Sequence, residues 1–238
     1  MSTEPAVLRQ RLLDSPILRA HIVSIIWIGS LSRSSDVHDT SDLDIQIILD
    51  RPNLESTQQL ARVLDDYPNI DLSIVYRTDI FDSSAHLDFQ DGTKGPFFIQ
   101  VLADGILLHG EDLYRDVAST LSLAMVRPSL MFTIREYISR LRVMATRGGE
   151  PSLAFKKYCV KLLKDVLVHD GRLALVEMTR MSNGDTLELV DGIYQFNAAE
   201  RALLHRLTDL RDLFGSEERA VVLCACERLV ENLRHVSS

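Results

Sequence analysis

The chain of 238 residues is poor in several features at once, and each shortage narrows what it can be. Cysteine occurs at Cys159, Cys224 and Cys226 only, an odd number without zinc-type spacing. Neither a disulfide scaffold nor a structural zinc site is therefore expected. No apolar run approaches the roughly 18 residues that a membrane span needs, and the first ten residues lack a basic start followed by an apolar stretch. A soluble cytoplasmic protein is the expectation. Internal repeats and low-complexity segments are also missing. What is present is an ordinary globular composition, 46% hydrophobic and 25% charged. A chain of this length and make-up can bury one large core or two smaller ones.

The formal net charge of -8 conceals a division. Residues 1–120 carry 9 basic and 19 acidic side chains, whereas residues 121–238 carry 17 basic and 15 acidic. Between 127 and 164 nine Arg and Lys stand against Glu136 and Glu150, and four of the five lysines fall at Lys156, Lys157, Lys161 and Lys164.

Periodicity divides the chain at the same place. Helical spacing over about 5–20 is followed by apolar runs at Ile22 to Ile28, Leu43 to Leu49 and Ile70 to Tyr76 that read as strands, with a helix from Leu54 to Tyr67. A polar loop over 82–96 leads to a helix and a short strand at Ile106 to His109. Beyond that the spacing predicts helices at roughly 111–122, 128–147, 152–169, 172–181, 197–214 and 217–235. The expectation is an α+β protein: a mixed sheet flanked by helices over 1–120, then an all-helical bundle over 121–238. Asn197 with Glu200 resembles a capping box, and Gly215-Ser216-Glu217-Glu218 suits the end of one helix and the start of another.

The chemistry concentrates in Ile28-Gly29-Ser30, Ser41-Asp42-Leu43-Asp44-Ile45 and Ile70-Asp71-Leu72. Alternate residues of a strand share a face, so Asp42 and Asp44 converge. Two like charges at the start of an apolar strand are costly without a cation, and Asp71 joins them if its strand pairs alongside. Three carboxylates with substrate phosphates suit Mg²⁺. Gly29 allows close backbone approach to a phosphate, and the Ser30 hydroxyl adds a donor.

These residues resemble the nucleotidyltransferase superfamily of the DNA polymerase beta type. Members carry an apolar residue and Gly-Ser, a spacer of about ten residues, Asp-x-Asp between apolar residues, and a third carboxylate on a following strand. The resemblance covers residues about 20–110. Arg33 matches an Arg common soon after Gly-Ser in small bacterial members, while Ser34 departs from their usual Gly. The helical half is more loosely similar to bacterial enzymes such as the aminoglycoside adenylyltransferases. The resemblance implies a mixed nucleotidyltransferase-type sheet and Mg²⁺-dependent transfer of NMP, with ATP the expected donor and pyrophosphate released. Two Mg²⁺ ions would be held by Asp42, Asp44 and Asp71, with Asp71 the candidate general base. Gly29, Ser30 and Arg33 would bind the nucleotide. A small-molecule acceptor such as an aminoglycoside is favoured over a protein side chain or an RNA 3′ end. The rival reading is a non-catalytic nucleotide-binding or antitoxin-like module.

Lys157, Lys161 and Lys164 share a helix face by spacing. Either they face the triphosphate, with Lys157 and Lys161 the preferred pair, or they form a solvated basic surface. The seven His include no pair at the spacing of a zinc helix, and none is nominated as catalytic. Cys224 and Cys226 read as small core residues of the last helix.

Overall fold

The structure is a computed structural model that describes residues 4–28, 43–67, 70–81, 96–146, 152–209 and 212–236. The chain separates into two compact units, Met1–Phe89 with Phe98–Leu121, and Gln90–Phe97 with Ser122–Ser238.

The first unit is built on β1 (Ile22–Ile28), β2 (Leu43–Leu49), β3 (Ile70–Tyr76) and β4 (Ile106–Gly110), in the order β3-β2-β1-β4. β1 runs antiparallel to β2 and to β4, and β2 runs parallel to β3. Helices α1 (Glu4–Asp14), α2 (Pro16–His21) and α3 (Leu54–Leu64) supply Leu8, Leu12, Leu18 and Leu60 to one buried cluster with Ile25, Ile45, Ile47 and Leu49 of the sheet. Each such aliphatic side chain contributes about 1.5–3 kcal/mol when taken from water. Alternation then turns Asp44, Gln46 and Ile48 to the opposite face. Ile48 is buried there as completely as Ile47 is on the first face, which is why β2 reads as a continuous apolar run.

The helix expected over 5–20 is in fact two. Ser15 accepts a hydrogen bond from the Leu18 amide at 3.4 Å and Pro16 occupies the first helical position, so α2 starts afresh. A short helix α4 (Arg77–Phe81), α5 (Pro96–Ala103) and α6 (Leu113–Thr120) complete the unit. β4 ends at Gly110, whose φ is +84°, where an added Cβ would lie 1.8 Å from the Val23 carbonyl oxygen. Only glycine lets the edge strand come this close to β1.

The second unit contains α7 (Leu123–Thr146), α8 (Ser152–His169), α9 (Asn183–Ile193), α10 (Ala198–His205) and α11 (Ser216–Val236). α8 is central, touching α7, α9 and α11, and almost everything from Leu162 to His169 is buried. α7 begins at Leu123, before the expected 128, with the Ser122 hydroxyl accepting from the Met125 amide at 3.4 Å. Over the expected helix 172–181 the chain makes only a 3₁₀ turn, Leu175–Glu177, and α9, which no periodicity signalled, begins after the Ser182 cap. The helix expected over 197–214 stops at His205 and continues as a 3₁₀ turn, Arg206–Thr208. The Asn197–Glu200 capping box is present in both directions. Cys159 and Cys226 are buried, but Cys224 is exposed rather than part of the core. Among the described residues no single helix is long and apolar enough to cross a membrane.

Candidate active site

The sheet register brings two of the three expected carboxylates together. Asp44 and Asp71 are direct partners across the parallel β2–β3 pair, and on its other side Asp44 pairs with Ile28, the last residue of β1. Paired residues on neighbouring strands share a face, and adjacent strands lie about 4.8 Å apart. The row Ile28–Asp44–Asp71 therefore presents two carboxylates side by side, just before the fully buried part of β2. Asp44 is half-buried, between the buried Ile28 and Ile45, while Asp71 is exposed on the outer strand. The chain leaves β1 at this row, so Gly29 follows directly on the residue that pairs with Asp44.

Gly29, Ser30, Arg33 and Asp42 themselves lie outside the described residues. Asp44 and Asp71 fit a hard divalent cation: both offer only oxygen, they share a face, and two adjacent carboxylates are better satisfied by a shared cation than by each other. Among the described residues no group of three or more metal-ligating side chains is assembled.

Behind this row stands a residue that the sequence reading passed over. Gln46 follows Asp44 by two positions, on the same face, and is fully buried. Its Nε2 donates to Ser73 Oγ at 3.3 Å, and Ser73 is its register partner on β3. The signal lay in the sequence: a lone amide among Ile45, Ile47, Ile48 and Leu49, in phase with the aspartates.

Lys157 and Lys161 are both on α8, one turn apart and exposed. The Lys161 ammonium is 5.9 Å from the Tyr158 ring, over which the Arg140 guanidinium also lies at 5.4 Å. Arg140 donates to the Tyr158 hydroxyl at 2.8 Å and pairs with Glu136 at 2.5 Å. Although Lys161 is exposed as a residue, crowding around its ammonium and the like charge of Lys157 lower its pKa. The other lysines do not join them. Lys164 is buried and donates to the Met181 carbonyl at 2.6 Å. Lys156 is 1% exposed, donates to the Arg206 and Asp209 carbonyls at 2.8 and 2.6 Å, and sits 4.3 Å from the centre of the Phe214 ring. The basic face of α8 thus narrows to two residues.

One turn beyond Lys161, Asp165 is 1% exposed and neither carboxylate oxygen has a hydrogen-bond partner. Burial holds its pKa well above the ordinary carboxylate range, against the pull of Lys161. His169, another turn on, is buried with Nδ1 unpartnered, and its pKa is lowered by burial and then by Arg127.

No family model and no curated protein matches this sequence. In three dimensions the chain is similar to the crystal structure of spectinomycin adenyltransferase from Enterococcus faecialis with ATP and spectinomycin. The TM-score is 0.61 at 13% identity, covering 97% of this chain and 98% of the other. A likeness of this extent over so little shared sequence establishes the fold: a nucleotidyltransferase-like mixed sheet with its helices, joined to a helical unit.

Proposed function

We propose that the protein is a Mg²⁺-dependent nucleotidyltransferase that moves AMP from ATP to a hydroxyl of a small-molecule acceptor. The observation that carries this reading is the Asp44–Asp71 pairing at the row where the chain runs on from β1 into Gly29-Ser30. A sheet built for stability alone does not set two carboxylates side by side on one face. The likeness in fold to an adenyltransferase structure with ATP and spectinomycin supports the choice of donor and of a small acceptor.

In this reading residues 1–120 hold the chemistry and residues 121–238 serve nucleotide and acceptor binding. Asp42, Asp44 and Asp71 would hold Mg²⁺, which offsets phosphate charge and lowers the pKa of a nearby hydroxyl. Asp71, the more exposed carboxylate of the pair, accepts the acceptor hydroxyl proton. The acceptor oxygen forms a bond to the α-phosphorus, the bond from that phosphorus to the β-bridging oxygen breaks, and pyrophosphate leaves with that electron pair. Gly29 and Ser30 offer backbone and hydroxyl donors to the β- and γ-phosphates. Arg33, Lys157 and Lys161 supply positive charge to the same polyanion.

The test is incubation of the full chain with α-labelled ATP, Mg²⁺ and pools of aminocyclitol, aminoglycoside, protein and RNA acceptors. Transfer of label to a small-molecule pool, abolished by Asp44→Asn or Asp71→Asn, is the expected result. Nucleotide binding that is indifferent to Mg²⁺ and to both substitutions, with no transfer to any pool, would overturn the reading in favour of a non-catalytic module.

A further inference from the structure

We propose that Gln46 is a positioning residue that fixes the relative placement of the Asp44 and Asp71 carboxylates by tying β2 to β3 one pleat behind them. The inference rests on the metal-binding reading of that pair given above. Four observations lead to it.

The first is placement. Gln46 and Ser73 are register partners, each two residues beyond a member of the Asp44–Asp71 pair, so the two rows lie next to one another on one face of a parallel ladder. Parallel ladders have slanted backbone hydrogen bonds and are slightly less stable per residue than antiparallel ones. A side-chain bond across the two strands, here Nε2 to Ser73 Oγ at 3.3 Å, adds a constraint next to the residues whose spacing matters.

The second is reach. The Gln46 amide also lies near the phenol of Tyr114, a buried residue of α6. Burial holds that phenol neutral by raising its pKa. Tyr114 in turn lies near Asp79 of α4, whose carboxylate accepts from the backbone amide of Tyr76 at the end of β3 at 2.8 Å. The amide therefore connects β2 with β3 directly, close to where α6 approaches the sheet.

The third is cost. The Gln46 Oε1 is buried with no partner, and an unsatisfied buried acceptor destabilises a fold. Every other residue from Ile45 to Leu49 is a buried aliphatic, so a Leu or Ile at 46 would suit the packing better than the amide does. Packing stability does not account for an amide at this position, whereas control of the neighbouring row does. The fourth is chemistry: carboxylates that hold a metal ion depend on their supporting contacts, and loss of such a contact typically weakens the site about 10–100-fold.

The experiment uses the full chain with Mn²⁺ as the probe, its free concentration followed by electron paramagnetic resonance in the presence of a non-hydrolysable ATP analogue. Thermal unfolding is measured on the same samples. Gln46→Leu is expected to bind Mn²⁺ roughly tenfold more weakly than the wild type while melting at the same temperature or higher. Ser73→Ala should shift affinity in the same direction by less, and Ser73→Thr, which keeps the hydroxyl, should restore it. Should Gln46→Leu fail to fold, the Ser73 pair decides, because that residue is small and only half-buried. Wild-type Mn²⁺ affinity in a folded Gln46→Leu, or in Ser73→Ala where Gln46→Leu does not fold, overturns the proposal; so does an affinity loss that only tracks a fall in melting temperature. Asp71→Asn separates the two levels. Mn²⁺ binding lost in Asp71→Asn but intact in Gln46→Leu sinks this inference alone, while a wild type that binds no Mn²⁺ sinks it together with the metal-dependent reading.

Discussion

Asp44 and Asp71 are register partners side by side on the only parallel strand pair among the described residues. Two carboxylates so placed repel each other when both are ionised, and a divalent cation relieves that repulsion. Asp71→Asn should therefore leave the metal-free protein as stable as the wild type or slightly more so, by up to about 1 kcal/mol. The same substitution should cost transfer activity at least ~100-fold. Thermal melting with and without Mg²⁺ and ATP provides the check: a rise on addition is expected in the wild type and not in the variant. An unaltered rise in Asp71→Asn would exclude this carboxylate from the ion's surroundings.

The four lysines of α8 should separate cleanly into two kinds. Lys157→Met and Lys161→Met should change stability by less than about 0.5 kcal/mol, as surface substitutions do, while each weakens ATP binding several-fold. Lys156→Met should behave the other way. It removes a buried ammonium that serves two backbone carbonyls and the Phe214 ring, leaving each carbonyl with only a long backbone donor at 3.3 Å, at a cost of about 2–4 kcal/mol. Chemical denaturation paired with nucleotide titration reads both quantities on the same variants.

That division also marks where the sequence stopped being legible. The three strands that carry the site were readable because Ile22 to Ile28, Leu43 to Leu49 and Ile70 to Tyr76 are apolar runs whose bounds coincide with the observed strands. Spacing alone put Lys164 on the same face as Lys157 and Lys161, yet α8 is enclosed by other helices over its second half, and Lys164 turns inward to a carbonyl. A periodicity reckoned within one helix cannot register what its neighbours cover. The helix expected over 172–181 failed for another reason. Leu173, Leu175, Val176 and Met178 have helical spacing, but they surround a single 3₁₀ turn, and the helix proper waits for the Ser182 cap. There Gly184 and Gly192 lower helix propensity within α9, so tertiary packing rather than local sequence decides.

Asp165 is expected to be a liability that a substitution relieves. Its native pKa is raised by burial, so between its unfolded value near 4 and its native value the folded state holds the extra proton. Stability therefore falls as pH rises through that window. Asp165→Asn should stabilise the protein at pH 7 to 8 by about 1–2 kcal/mol, and the gain should shrink towards pH 4. His169, with its lowered pKa, acts in the opposite sense below about pH 6.5, where charging it weakens the fold. Since both proteins retain His169, the difference between their melting curves across pH isolates the carboxyl. A gain that is constant with pH would mean that the native Asp165 does not titrate abnormally.

Glu200 presents the reverse case. Its carboxylate is 4% exposed, yet it receives both terminal nitrogens of Arg228, at 2.6 and 2.7 Å, and the backbone amide of Asn197 at 3.1 Å. Chiefly through Arg228, these bonds hold its pKa below the usual carboxylate value. The stability it confers is present above its unfolded pKa and is lost as pH falls through the lower native one. Glu200→Gln keeps part of the capping box but forfeits the ion pair, and should cost about 1–2 kcal/mol at pH 7. Arg228→Ala should cost at least as much despite removing a half-exposed residue, because it leaves the buried carboxylate with the α10 N-terminus as its remaining partner. A double-mutant cycle on the two positions, read by denaturant midpoint at pH 7 and again at about pH 2, should give a coupling of about 1 kcal/mol that disappears in acid as Glu200 takes up its proton. Coupling that persists at about pH 2, where the carboxylate is protonated, would show that the pair is held by packing of the arginine stem rather than by charge.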